Sequence, residues 1–229
     1  ASAVKADPDA LGRVLRLLSA HGVFASTRDG FAHSPASRLL QAEHPQSMRA
    51  FVRMFGLRSN WDILGALDHS VRTGQPAADQ VLPNGFWGHL AQNPEASAIF
   101  SEAMSAKAQA HVPMIIAAYD WSGFERIGDI GGGRGQLLRA VLKAAPKASG
   151  VLFDLPQVLE QSAGLASARL ALHPGDFFKE PLPTCDAYLL MEVIHDWGDA
   201  KSVAILKAIR KAARSQVRLL LIEQIVPES

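Results

Sequence analysis

From Arg126 onward the chain repeats one arrangement: a short apolar run, a turn carrying glycine or an acid, then an amphipathic stretch. Residues 126–130, 150–153, 187–191 and 217–223 read as strands, with a weaker candidate at 170–173. Helical patterns lie between them, at 136–145, 157–162 and 200–213. Strands that alternate with helices pair in parallel, because each crossover returns the chain to the same edge. The expected fold is therefore α/β, a Rossmann-like doubly wound sheet. Such sheets bind ligands along the carboxyl ends of their strands.

The first strand runs into Gly131-Gly132-Gly133-Arg134-Gly135. A dinucleotide fingerprint beginning at Gly131 requires a small residue at Gln136, and one beginning at Gly133 requires it at Leu138, so both registers fail. A nicotinamide oxidoreductase is disfavoured on that ground. The remaining G-x-G-x-G suits S-adenosyl-L-methionine, whose amino-acid tail and sulfonium need a close, flat loop and which has no pyrophosphate. Taken alone, such a cluster is also an ordinary tight turn. Asp154, after the second strand, is placed to accept both ribose hydroxyls; otherwise it is a solvated turn acid. Asp176 and Phe177, after the third, suit the adenine amino group and ring, or again a turn. Gly131, Asp154, Asp176, His195 and Glu223 all fall at strand ends, which five unrelated turns would not be expected to do.

Methyl transfer to oxygen is an in-line displacement at a sulfonium methyl, so the acceptor oxygen is the group that needs help. A phenol, with a pKa near 10, is mostly protonated at neutral pH, and a histidine, near 6.5, can take its proton as it attacks. His195, followed by Asp196 and Trp197 after the fourth strand, is the candidate base. Glu223, closing the apolar run 219–222, is the candidate for fixing the imidazole's tautomer. His21, His33, His69, His89 and His111 have no comparable setting.

Before Arg126 the pattern is helical. Asp7-Pro8 reads as a cap and first turn, and Leu11, Val14, Leu15 and Leu18 share one face. Asp29-Gly30 reads as a hairpin turn, and Ser34-Pro35 opens another helix. Helix, two-stranded wing, helix outlines a winged-helix-like unit. Residues 73–94 look loose, with Gly74, Pro76, Pro83, Gly85, Gly88 and Pro94, and a helix follows over 95–119. The domain boundary is accordingly expected near 94, giving domains 1–94 and 95–229. A formal net charge of +1 supplies no field for phosphate, which argues against a winged-helix DNA-binding regulator and against nucleic-acid partners. The single cysteine excludes an intrachain disulfide. No apolar run approaches the roughly 20 residues of a membrane span. A cytoplasmic location without membrane partners is the expectation.

With these motifs assembled, the chain resembles the plant-type small-molecule O-methyltransferases, the family of the caffeic acid, hydroxyindole and polyketide enzymes. The motifs Gly131 to Gly135, Phe153 to Pro156, Gly175 to Phe178, His195 to Trp197 and Leu221 to Glu223 occur in the family's order and spacing. The resemblance implies methyl transfer from S-adenosyl-L-methionine to a hydroxyl of a small molecule, phenolic or polyketide-like, leaving S-adenosyl-L-homocysteine and using no metal. It implies His195 as general base with Glu223 behind it. Gly131, Gly133, Asp154, Leu155, Asp176, Phe177 and Met191 would serve the cofactor; Phe100, Met104 and Asp196 would serve the acceptor. It also implies a homodimer formed through the N-terminal domain. Relatives that use the cofactor for polyketide decarboxylation or hydroxylation are the alternative. The chain departs from the pattern in having Met191 where the family often has lysine. Ser229 falls before the family's last strands and second supporting glutamate, and Ala1 inside its N-terminal domain, so an incomplete, poorly active chain is the expectation.

Overall fold

The alternation seen from Arg126 onward is realised in the computed structural model of the chain, which describes residues 1–227. Strands β3 (Arg126–Ile130), β4 (Ser149–Asp154), β5 (Leu170–Pro174), β6 (Ala187–Met191) and β7 (Arg218–Ile222) form one sheet. The order is β5-β4-β3-β6-β7, and every pairing is parallel. The chain therefore winds outward from β3, then returns to lay β6 on the other side of it. The reversal opens a crevice at the carboxyl ends of β3 and β6. The inner strands β3, β4 and β6 are buried on both faces, which is why they read as nearly continuous apolar runs, while the edge strands β5 and β7 are partly exposed.

Helix α9 (Gln136–Ala144) covers one face with Leu137, Leu138, Val141 and Leu142, all buried against Ile127, Leu152 and Leu189. Ile205 and Ile209 of α11 (Asp199–Ala212) belong to the opposite layer with Ile130, Phe153, Tyr188 and Leu190. Leu152 and Phe153 point to opposite layers because successive strand residues alternate. Each such large apolar side chain contributes roughly 1.5–3 kcal/mol on burial. The Tyr188 hydroxyl donates to Pro183 O at 2.7 Å and accepts from Cys185 N at 3.0 Å, so the ring is buried without an unpaired oxygen.

Packing divides the chain into two units, Ala1–Ala77 and the residues from Ala78 onward. The first contains α1 (Pro8–Ala20), β1 (Phe24–Thr27), β2 (Gly30–His33), α2 (Pro35–Arg38), α3 (Arg49–Phe55), α4 (Arg58–Gly65) and α5 (Leu67–Thr73). Asp7 caps α1 by accepting from Ala10 N at 2.8 Å. The β1–β2 hairpin turns at Arg28-Asp29, one residue earlier than the sequence reading, and Gly30 opens β2. The segment 73–94 is more ordered than its glycines and prolines suggest. It holds α6 (Ala77–Val81) and α7 (Gly85–Gln92), and leads into the long α8 (Pro94–Ala118). The reason is aromatic packing: Phe86 and Trp87 of α7 each lie edge-to-face with Phe100 of α8, centroids 5.5 and 5.6 Å apart.

Candidate active site

Gly131 follows β3 in the left-handed region, φ 70°, with its N–H donated to Phe153 O at 2.8 Å. A side chain there would be strained by that φ, and its Cβ would lie 3.0 Å from Val193 Cγ2 and 3.9 Å from Phe177 Cε1. Glycine is what lets three strand ends meet. Gly132 is tighter still, since a Cβ would lie 2.5 Å from both the Asp129 carboxyl and Leu152 Cδ1.

Asp154 ends β4 and holds the turn, accepting from Gly133 N and Leu155 N, each at 2.7 Å. Each oxygen keeps a second acceptor position. Burial raises the Asp154 carboxyl to about 6, against the pull of these two hydrogen bonds. Beneath it Asp129 is 1% exposed. Burial and the neighbouring Asp154 raise Asp129 to about 7. Leu155 is the N-cap of α10 (Pro156–Glu160). Asp176 follows β5, but its partners are local: it pairs with Lys179 Nζ at 3.0 Å and accepts from Phe178 N at 2.9 Å. Met191, the last residue of β6, packs its side chain against the core.

After β6 the chain makes a short 3-10 turn over Ile194–Asp196. His195 Nδ1 lies 2.6 Å from Glu223 Oε2. The other oxygen of Glu223 accepts from Val193 N at 3.0 Å and Ile194 N at 2.9 Å, so one carboxylate orients both the turn and the ring. Partial burial works against ionising Glu223, but these hydrogen bonds outweigh it and hold the acid below the usual range. An ionised Glu223 accepts a hydrogen bond from Nδ1–H of His195, which leaves the lone pair on Nε2. That nitrogen lies 3.6 Å from Asp196 Oδ1, and the imidazole is 52% exposed. Burial raises Asp196 above the usual carboxylate range, against the attraction of His195.

An aromatic chain borders the turn. Trp197 contacts Phe177, Phe178 and Trp87, at 6.0, 4.8 and 6.2 Å between centroids, and Trp87 continues to Phe100. Met104 follows Phe100 by one turn of α8, half-buried. Phe86 and Trp87 were not expected here; the signal available was two adjacent aromatics in a stretch otherwise rich in turn residues. Of the residues expected from sequence, Gly131, Gly133, Asp154, Leu155 and Phe177 come together around the glycine turn. His195, Asp196 and Glu223 form a second group, joined to the first through Val193.

The glycine turn closed by Asp154 and the imidazole backed by Glu223 both lie at the carboxyl ends of the parallel strands. Residues 64–229 match the family described as O-methyltransferase domain, and the chain belongs to that family. It is 39% identical over 228 residues to the phenazine O-methyltransferase of Lysobacter antibioticus, covering 95% of this chain and 65% of that protein. The chain thus spans just under two thirds of that relative's length. The solved structure of mitomycin 7-O-methyltransferase superposes with a TM-score of 0.93 at 36% identity, over 100% of this chain and 69% of that one. An O-methyltransferase of neocarzinostatin biosynthesis, solved with S-adenosylmethionine and 2-hydroxy-5-methyl naphthoic acid, superposes at 0.86 with 35% identity, over 97% and 70%.

Proposed function

We propose that this chain carries the cofactor site and the base of an S-adenosyl-L-methionine-dependent O-methyltransferase whose acceptor is a hydroxyl on a flat aromatic or polyketide-like small molecule. The observation that carries the reading is the 2.6 Å contact of His195 with Glu223, on a turn whose Val193 lies against Gly131.

The residues present fit the cofactor. The cradle at Gly131 has no room for a side chain, and both oxygens of Asp154 retain acceptor capacity for ribose hydroxyls. Gly133, Leu155, Asp176, Phe177 and Met191 complete the cofactor set in this reading, the last through its main chain. When bound, S-adenosyl-L-methionine supplies an electrophilic methyl on a sulfonium that leaves as a neutral thioether. His195 Nε2 takes the acceptor's hydroxyl proton as the oxygen attacks, and Glu223 stabilises the imidazolium through Nδ1. Phe100 and Met104, with Trp87 and Trp197, supply apolar surface to a flat ring, and Asp196 contributes a polar contact beside the base. General-base assistance of this kind is worth about 10²–10⁴ in rate.

In the same reading, 1–94 is a winged-helix-like domain that forms a homodimer and 95–229 is the methyltransferase domain. Support for the dimer comes from exposed apolar side chains of the first unit, Leu17, Trp61 and Val71, which are 61%, 64% and 80% exposed. The single cysteine, Cys185, is buried and free, which suits the cytoplasm.

The test is transfer of labelled methyl from S-adenosyl-L-methionine to a panel of hydroxylated aromatic acceptors. Label on the acceptor oxygen, undiminished by excess NAD, is expected. Cofactor-dependent decarboxylation or hydroxylation without label transfer would replace the reading.

A further inference from the structure

Lys107 follows Phe100 and Met104 along α8, at helical spacing. Its Nζ lies 2.6 Å from Glu192 Oε1, with the side chains only 27% and 14% exposed. Glu192 is the first residue after β6, the point at which the chain leaves the sheet. It is one of the few non-glycine residues with positive φ, at 56°. Left-handed backbone is uncommon for a residue with a side chain and persists where surrounding contacts determine it. Two contacts do so here: the Glu192 N–H donates to Ile222 O at 2.9 Å, and the carboxylate is held by Lys107. The next two N–H groups reach Glu223, and the following residue is His195.

The pair lies close to the rest of the turn: Lys107 lowers and Glu192 raises the proton affinity of Asp196, whose Oδ1 is 3.6 Å from His195 Nε2.

We propose that Lys107 is a positioning residue: by pairing with Glu192 it fixes the left-handed turn that presents His195. The proposal rests on the methyltransferase reading for its purpose, but it is testable without turnover.

The experiment follows the His195 imidazole resonances of the intact protein at fixed pH with S-adenosyl-L-homocysteine added. Lys107→Met and Glu192→Gln are each expected to displace these resonances, and the double variant to displace them no further than the larger single effect, since both remove one contact. Lys107→Arg should leave them near the unsubstituted position. Resonances that stay in place in both single variants, or single effects that simply add in the double variant, overturn the proposal. If Lys107→Met does not fold, Glu192→Gln and Lys107→Arg carry the test. In turnover, Lys107→Met should lower kcat about tenfold with S-adenosyl-L-homocysteine affinity unchanged. Failure of the unsubstituted protein to transfer methyl would refute the methyltransferase reading while leaving the resonance displacements to decide the role of the pair.

Discussion

His195→Ala is expected to lower the rate of methyl transfer by about 10²–10⁴-fold, while S-adenosyl-L-homocysteine binds with nearly unchanged affinity. The split follows from geometry. His195 belongs to the turn after β6 and makes its hydrogen bond to Glu223, whereas the acid proposed to bind ribose is Asp154 at the end of β4. Removing the imidazole takes away the proton acceptor and leaves the glycine turn intact. Acceptors already ionised at the assay pH should be affected least, since they have no proton to lose. Steady-state kinetics with two phenols of different pKa, alongside calorimetric titration of cofactor product, measure both halves. A uniform loss of affinity and rate would mean that His195 supports the fold of the site, not the chemical step.

The second large effect falls on binding. Asp154→Ala should weaken S-adenosyl-L-methionine affinity by about 10² or more, because each hydrogen bond to a charged group is worth roughly 1.5–3 kcal/mol and two are expected. The substitution also releases Gly133 N and Leu155 N, which Asp154 now holds. Affinity should depend on pH in a direction set by burial. The Asp154 carboxyl is raised to about 6, so it gains a proton as pH falls through that value. The neutral acid is the weaker acceptor, so affinity is full above about 6 and declines below it. Asp154→Asn, which cannot titrate, should bind weakly with no corresponding decline. Calorimetry between pH 5 and 8 measures both variants; equal pH dependence in the Asp154→Asn variant and the unsubstituted protein would remove Asp154 from the site.

Much of this arrangement is legible in the amino-acid order, for identifiable reasons. Strands buried on both faces must be apolar along their length, so 126–130 and 187–191 stand out with the boundaries they have in the fold. Polar residues at the ends of such runs are conspicuous, which is how Asp154, His195 and Glu223 declare themselves. Helices α6 and α7 were hidden because glycine and proline signal turns locally, whereas Phe86 and Trp87 are ordered by Phe100 of another helix. Asp176 sits at a strand end as expected, yet nothing in the sequence told that its carboxylate engages Lys179 and Phe178 N. The Lys107–Glu192 pair was unreadable for a similar reason: its members lie on elements that meet only after the sheet is wound.

The central claim is geometric, and a crystal structure of the intact protein with S-adenosyl-L-homocysteine and a phenolic acceptor measures it most directly. The account predicts ribose oxygens within hydrogen-bond distance of Asp154, the thioether sulfur beside Gly131, and the acceptor oxygen between that sulfur and His195 Nε2. A ligand seated elsewhere, or an acceptor oxygen out of reach of His195, would contradict it.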